Sequence, residues 1–261
     1  MKVNVNGIEI NYEIEGNGPW LTMSHSLACD LHMWDPQMPV LTKRFKVLRF
    51  DTRGHGKSSA PEGEYTLDQL AVDVKGLLDE LKIKQTHWAG LSMGGMIGQA
   101  FALKYPGVFQ SMVLADTASR RPPEAAKMWG DRIKTAREQG MEALVESTLA
   151  RWFTEPYRNT HKDVMQRIGN DIRKTPVAGF VGCCHAISKV DYLDRLKEID
   201  CPALVMVGEQ DHGTPPEAAR AIQANLPGSE LKILPSAAHL SNIEQADEFN
   251  KAMTGFLARV A

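Results

Sequence analysis

The chain has 261 residues, 43% hydrophobic and 24% charged, which suits one large domain with a substantial buried core and argues against disorder. A formal net charge of −2 and the lack of a long basic run argue against nucleic acid or an anionic membrane surface as a partner. No apolar stretch reaches the roughly eighteen residues that a membrane-crossing helix needs.

The first residues alternate polar and apolar and lack the apolar run of a signal peptide. Val3, Val5, Ile8, Ile10, Tyr12 and Ile14 alternate around Asn6-Gly7, which predicts a β-hairpin. Apolar runs at 20–23 and 45–50 predict two strands, with a short helix over 34–43 between them. The first run ends in Ser24-His25-Ser26, the second in the loop from Asp51 to Gly56. Thr66 and Gln69 predict a capping box, and Leu67, Leu70, Val74, Leu77, Leu78 and Leu81 follow at helical spacing. A strand over 86–91 then runs into Ser92, a helix over 93–104 and a strand over 111–115.

The rhythm stops after Asp116. Residues 119–188, opened by Pro122-Pro123, read as an all-helical insertion, and its natural place is a lid over the strand ends. The rhythm resumes with a strand at 203–207 and a helix capped at Thr214 and boxed by Glu217. A last strand at 231–234 and a last helix from Ser241, boxed by Glu244, complete it. Strand–helix alternation predicts an α/β core over 1–118 and 189–261, a parallel sheet with helices on both faces. Cys29, Cys183, Cys184 and Cys201 do not form a disulfide framework, and a reducing cytoplasmic setting is expected.

Gly90-Leu91-Ser92-Met93-Gly94 is a Gly-x-Ser-x-Gly motif. A serine hydroxyl is a weak nucleophile and must stand where a base can reach it; a sharp strand-to-helix turn does this, with small residues on either side. Among 21 glycines the motif alone is weak, and the strand before it and the helix after it carry the weight. Four histidines follow Ser92: His161, His185, His212 and His239. His239, in the loop after the last strand, is the expected base. Asp211, after the 203–207 strand, is the expected acid; Asp116 competes for that role, and Glu209 is a weaker candidate. The expected oxyanion donors are the backbone N–H groups of Met93 and Leu27. Cys183-Cys184-His185 lacks the spacing of a metal site, so no metal is predicted.

With Asp51-x-Arg53-Gly54-His55-Gly56-x-Ser58, the Gly90–Gly95 segment and the Asp211/His239 pair, the chain resembles α/β-hydrolases from end to end. The resemblance implies a mostly parallel eight-stranded sheet flanked by helices, with a helical lid. Ser26-Leu27, Met33-Trp34-Asp35-Pro36-Gln37, Asp116-Thr-Ala-Ser-Arg120, Arg151-Trp152-Phe153-Thr154 and the segment from His239 to Glu244 are similar to 3-oxoadipate enol-lactonases. Those enzymes open an unsaturated five-membered lactone bearing a carboxymethyl group, in the bacterial degradation of aromatic compounds. The resemblance implies a cofactor-free lactonase that uses Ser92, Asp211 and His239 on a small-molecule ester or lactone. This chain departs from that pattern at His25 and Asp116, where asparagine is expected, and at Cys184-His185, where Cys-Glu is expected. An anionic substrate calls for a cation, so Arg120 and Arg151 are pocket candidates, with Ser26, Trp152 and His185. A general carboxylesterase, a perhydrolase and a carbon–carbon bond hydrolase remain open on the same triad, as does a non-catalytic ligand-binding protein.

Overall fold

The computed structural model describes residues 1–122 and 125–261, so Pro123 of the predicted Pro122-Pro123 opening lies outside the described residues. The N-terminal hairpin pairs β1 (Lys2–Val5) with β2 (Ile8–Glu15). Asn6 and Gly7 both take positive φ, 49° and 76°, which the right-handed twist of the flanking strands requires of a two-residue turn.

The other strands are β3 (Trp20–Ser24), β4 (Lys46–Phe50), β5 (Thr86–Leu91), β6 (Phe109–Ala115), β7 (Ala203–Gly208) and β8 (Glu230–Leu234). They form one eight-stranded sheet in the order β1-β2-β4-β3-β5-β6-β7-β8. The β1–β2 and β2–β4 pairs are antiparallel, and every other pair is parallel. Parallel pairs need crossovers, and helices supply them. They are α1 (Met38–Leu41), α2 (Leu67–Glu80), α3 (Met93–Lys104) and α9 (Pro216–Asn225). From β3 the chain crosses to one side to make β4 and later returns to the other side to make β5. The loops after β3 and β5 therefore leave neighbouring strands in opposite directions, which opens a crevice at the strand ends.

The centre of the sheet is packed tightly. Every residue of β5 is buried, and Trp88 stacks on Phe109, which in turn stacks on Phe101 of α3. At Gly98 a Cβ would sit 2.2 Å from the Trp88 indole nitrogen, and at Gly94 one would sit 2.2 Å from the Ser24 carbonyl oxygen. Only hydrogen at these two positions lets α3 lie this close to the sheet.

Between β6 and β7 lie α4 (Ala125–Gln139), α5 (Val145–Trp152), α6 (Glu155–Thr160), α7 (Lys162–Lys174) and α8 (Val177–Ser188). The two ends of this stretch meet at an antiparallel bridge between Arg120 and Asp191. Helix α8 is seated on the core. A Cβ at Gly179 would lie 1.9 Å from the Gly54 carbonyl oxygen, and the Tyr65 N–H donates to the Gly182 carbonyl. No helix among the described residues is long and apolar enough to cross a membrane.

Three predicted helices differ in the structure. The segment expected over 34–43 is a 3-10 turn, Leu31–Gln37, followed by the four-residue α1, because Pro36 and Pro39 interrupt the helical ladder. Helix α9 starts at Pro216 with Pro215 in the capping position; the Thr214 hydroxyl donates to Asp211 instead. The last helix is split into α10 (Ser241–Glu244) and α11 (Ala246–Val260). Ser241 donates its hydroxyl to Asp116, and Glu244 accepts the N–H groups of Ala238 and Thr154, so neither closes a capping box. Of the predicted box between Thr66 and Gln69, the N-cap half forms: the Thr66 hydroxyl accepts the Gln69 N–H at 3.0 Å.

Candidate active site

Ser92 sits at the turn between β5 and α3 with φ 55° and ψ −112°. A non-glycine residue held there costs about 1–3 kcal/mol, and the surroundings must enforce it. Three contacts do so. The Ser92 N–H donates to the Ala115 carbonyl, and the Ser92 carbonyl accepts the Met96 N–H and the Thr117 hydroxyl. A Cβ at Gly90 would lie 2.2 Å from the Gly94 carbonyl oxygen, so the turn admits no side chain there. Ser92 is 6% exposed, and its hydroxyl faces the cavity described below.

His239 follows β8. Its loop runs against the end of β7, where the Gln210 N–H donates to the Ala237 carbonyl. A Cβ at Gly208 would meet the Ala238 carbonyl oxygen at 2.1 Å. Glu244 holds the same loop by accepting the Ala238 N–H, and it also accepts the Thr154 N–H just beyond α5. His239 Nε2 is 2.9 Å from Ser92 Oγ, and Nδ1 is 2.7 Å from Asp211 Oδ2.

Asp211 Oδ1 accepts the N–H groups of Gly213 and Thr214, and Oδ2 accepts the Thr214 hydroxyl. Burial pushes its carboxyl pKa up, but the charge and hydrogen bond of His239 and the bonds from Thr214 outweigh that and hold it below the ordinary value. An ionised Asp211 then fixes His239 with its proton on Nδ1 and leaves Nε2 free to accept from Ser92.

Asp116, the competing acid, is fully buried at φ 45° but turns elsewhere. It accepts the Gly208 N–H and the Ser241 hydroxyl and braces the ends of β6 and β7. Burial first, and the charge of Asp211 second, push its pKa well above the ordinary carboxyl value. Glu209 accepts the Ser236 N–H at an exposed position.

The cavity above Ser92 has a volume of about 30 Å³. Ser26, Leu27, Trp152 and Arg151 line it together with Ser92 and His239. The Trp152 ring stacks along His239 at 6.3 Å. The Ser26 hydroxyl and the Leu27 N–H have no hydrogen-bond partner among the described residues. Met93 is the first residue of α3, so its N–H has no acceptor within the helix.

Two predicted pocket residues lie elsewhere. Arg120 is exposed and pairs with Asp191 and Asp194, because the bridge at Asp191 turns its side chain outward. His185 faces Glu64 at 3.6 Å, on a part of α8 that does not line the cavity. In their place the cavity walls contain Arg121 and Arg132, which the sequence reading passed over. Arg121 donates to the Gly213 carbonyl and Arg132 to the Thr148 hydroxyl; both guanidinium groups also lie near the Trp129 ring. Burial pushes the pKa of each down to about 10, and lowers that of Arg151. Among the described residues none of the three pairs with a carboxylate. The wall of the cavity therefore carries three cations with no anion of their own.

Residues 19–246 match the family model for the alpha/beta hydrolase fold. The chain is 34% identical to 3-oxoadipate enol-lactonase 2 of Acinetobacter baylyi, over 97% of this chain and 94% of that protein. The crystal structure of the enol-lactonase from Burkholderia xenovorans LB400 superposes with a TM-score of 0.95 at 41% identity, covering 99% of this chain and 100% of that one. A malate-bound thermophilic esterase from Thermogutta terrifontis superposes with a TM-score of 0.94 at 30% identity, covering 100% and 99%. The chain belongs to the α/β-hydrolase family, and its activity is that of a hydrolase.

Proposed function

We propose that the chain hydrolyses a carboxylic ester or lactone through an acyl-enzyme on Ser92. The observation that carries this reading is the hydrogen-bonded run from Ser92 Oγ through His239 to Asp211, at 2.9 Å and 2.7 Å, in the wall of a cavity. His239 Nε2 takes the Ser92 proton as Oγ attacks the carbonyl carbon. The N–H groups of Leu27 and Met93 hold the oxyanion. When the intermediate collapses, the C–O bond to the leaving oxygen breaks and His239 returns the proton to it. Water, deprotonated by His239, then cleaves the acyl-enzyme. In a lactone the leaving oxygen stays part of the acyl chain throughout, so the ring-opened acid departs as a single product in this last step.

The narrower reading is a lactone that bears a carboxylate, of the 3-oxoadipate enol-lactone type. The three cavity arginines favour it, because half-buried cations that pair with no carboxylate bind an anionic arm at little further desolvation cost. The names of the two enol-lactonase relatives and the malate bound to the esterase point the same way. On this reading 119–188 act as a lid over a core of 1–118 and 189–261. Four free cysteines suit a cytoplasmic setting.

Initial rates on the carboxymethyl enol-lactone, on neutral lactones and on a simple aryl ester test the proposal. Ser92→Ala should abolish turnover of all three with the fold intact, and unchanged turnover would sink the mechanism. The anionic lactone should lead in kcat/KM by about tenfold or more, the worth of one charge-assisted hydrogen bond. Equal rates on charged and neutral lactones would remove the narrower reading and leave a general carboxylesterase.

A further inference from the structure

Two buried histidines stand behind the Leu27 N–H, and the mechanism above uses neither. His25 Nδ1 is 2.7 Å from the Ser26 carbonyl oxygen, and His25 Nε2 accepts the Thr52 N–H at 3.0 Å. His55 Nδ1 faces the Arg53 carbonyl at 3.3 Å, and His55 Nε2 accepts the Ala28 N–H at 2.9 Å. The ring centroids are 5.3 Å apart, and both side chains are 0% exposed. A carbonyl can only accept and an N–H can only donate, so each ring carries its proton on Nδ1 and is neutral.

These bonds bear on the two peptide units that flank Leu27. The Ser26 carbonyl and the Leu27 N–H belong to one planar trans peptide, so they point in opposite directions. Holding the carbonyl on His25 aims the Leu27 N–H the other way, toward the cavity that Leu27 lines with Ser92. The next peptide unit is held through the Ala28 N–H on His55, with Ala28 at φ 57°. We infer that His25 and His55 are positioning residues that together lock the orientation of the Leu27 N–H as an oxyanion donor. The loop carries no glycine; the Cys29 N–H also donates to the Ser26 carbonyl at 3.2 Å, His25 adds its bond from within the loop, and His55 adds one from the loop after β4.

The charges around the pair are Asp51 and Asp30, beside His25; Arg53 meets His55 only through its backbone carbonyl, and its guanidinium pairs with Asp73. Asp51 is itself bound by the Asn11 side chain and by the N–H groups of Leu31 and Lys57. Burial outweighs these carboxylates and lowers the pKa of His25. Burial and then the neighbouring His25 push that of His55 down to about 3. Both shifts run in the same direction as the hydrogen bonds, toward the neutral ring.

The inference rests on the proposed acyl-enzyme mechanism and can fail on its own. The test compares an ester with its thionoester, whose sulfur draws little help from oxyanion donors. His55→Leu, which cannot accept the Ala28 N–H, should lower kcat on the oxygen ester by about a hundredfold, the cost of one oxyanion donor. KM and the thionoester rate should move by less than about threefold, so the oxygen-to-sulfur ratio collapses. His55→Gln, which offers a carbonyl acceptor, should restore most of that ratio. Equal losses on both esters would show a merely structural role and overturn the inference. Ring nitrogen shifts of the parent protein are a check that needs no folded variant. Both Nε2 atoms should be unprotonated at neutral pH, and a protonated Nε2 on either ring would overturn it. A parent protein that turns over neither ester would refute the mechanism itself, and this inference with it.

Discussion

Replacing Asp211 by asparagine puts the whole catalytic reading at risk in one step. Two backbone N–H groups point at Oδ1, at 2.7 Å and 3.0 Å, so the amide oxygen must take that side. The amide NH2 then occupies the Oδ2 position and faces His239 Nδ1, which is 2.7 Å away in the parent. A donor there drives the imidazole proton onto Nε2, toward Ser92 Oγ, and His239 can no longer accept from it. Loss of the base should cost about 10⁴ in kcat, close to 5.4 kcal/mol of barrier. The Thr214 hydroxyl can rotate from donating to accepting, so the fold should survive, as far-UV dichroism and a melting curve will show. The assay is single-turnover hydrolysis of an activated aryl ester, which isolates acylation from product release. Asp116→Asn is the control: its contacts run to Gly208 and Ser241, so kcat should stay within about threefold. A kcat for Asp211→Asn within tenfold of the parent, or a larger loss from Asp116→Asn, would refute the assignment of the acid.

Asp116 also makes a prediction about stability. Its pKa is raised in the folded chain, so above the ordinary carboxyl range the native state holds a proton that the unfolded chain gives up. Stability contributed by this group therefore falls as pH rises through that window. Asp116→Asn should flatten the slope, and urea unfolding between pH 5 and pH 7 will measure it. Arg151→Gln should raise KM for a carboxylate-bearing lactone by about tenfold and leave neutral aryl ester hydrolysis within about threefold, read from initial rates. Gly98→Ala should overpack the contact with Trp88, cost about 1–3 kcal/mol and lower the melting temperature by at least about 2 °C.

The hydrogen-bonded run proposed as the triad is legible in the sequence because each member sits at a chain-local signal. Ser92 lies in a strand–turn–helix motif, and Asp211 and His239 each follow a strand in the sheet. The parallel alternation was legible for the same reason, since apolar strands and amphipathic helices are written in short windows. What was not legible depends on partners far away in sequence. Thr214 and Ser241 look like helix caps, but buried carboxylates at Asp211 and Asp116 compete for their hydroxyls and win. Arg120 and Arg121 differ by one position, and only the bridge to Asp191 decides that the first faces solvent and the second faces the cavity. Arg132 reads as one more charge on a charged helix until α5 and α8 pack around it. The pairing of His25 with the loop that contains His55 likewise appears only when the ends of β3 and β4 lie side by side.

On the proposed lid reading, the glycine contact between Gly54 and Gly179 divides the helical stretch into a post and a door. A cavity of about 30 Å³ has room for only a few waters, so on that reading a substrate enters as part of the wall swings away. Helix α8 is a poor choice for that part, because its backbone rests directly on the core with no side chain to roll between them. The swing falls to α4 and α5, which carry Arg132 and Arg151. The groups that attract an anion are then the same ones that must step aside to let it through, so admission and recognition become one event.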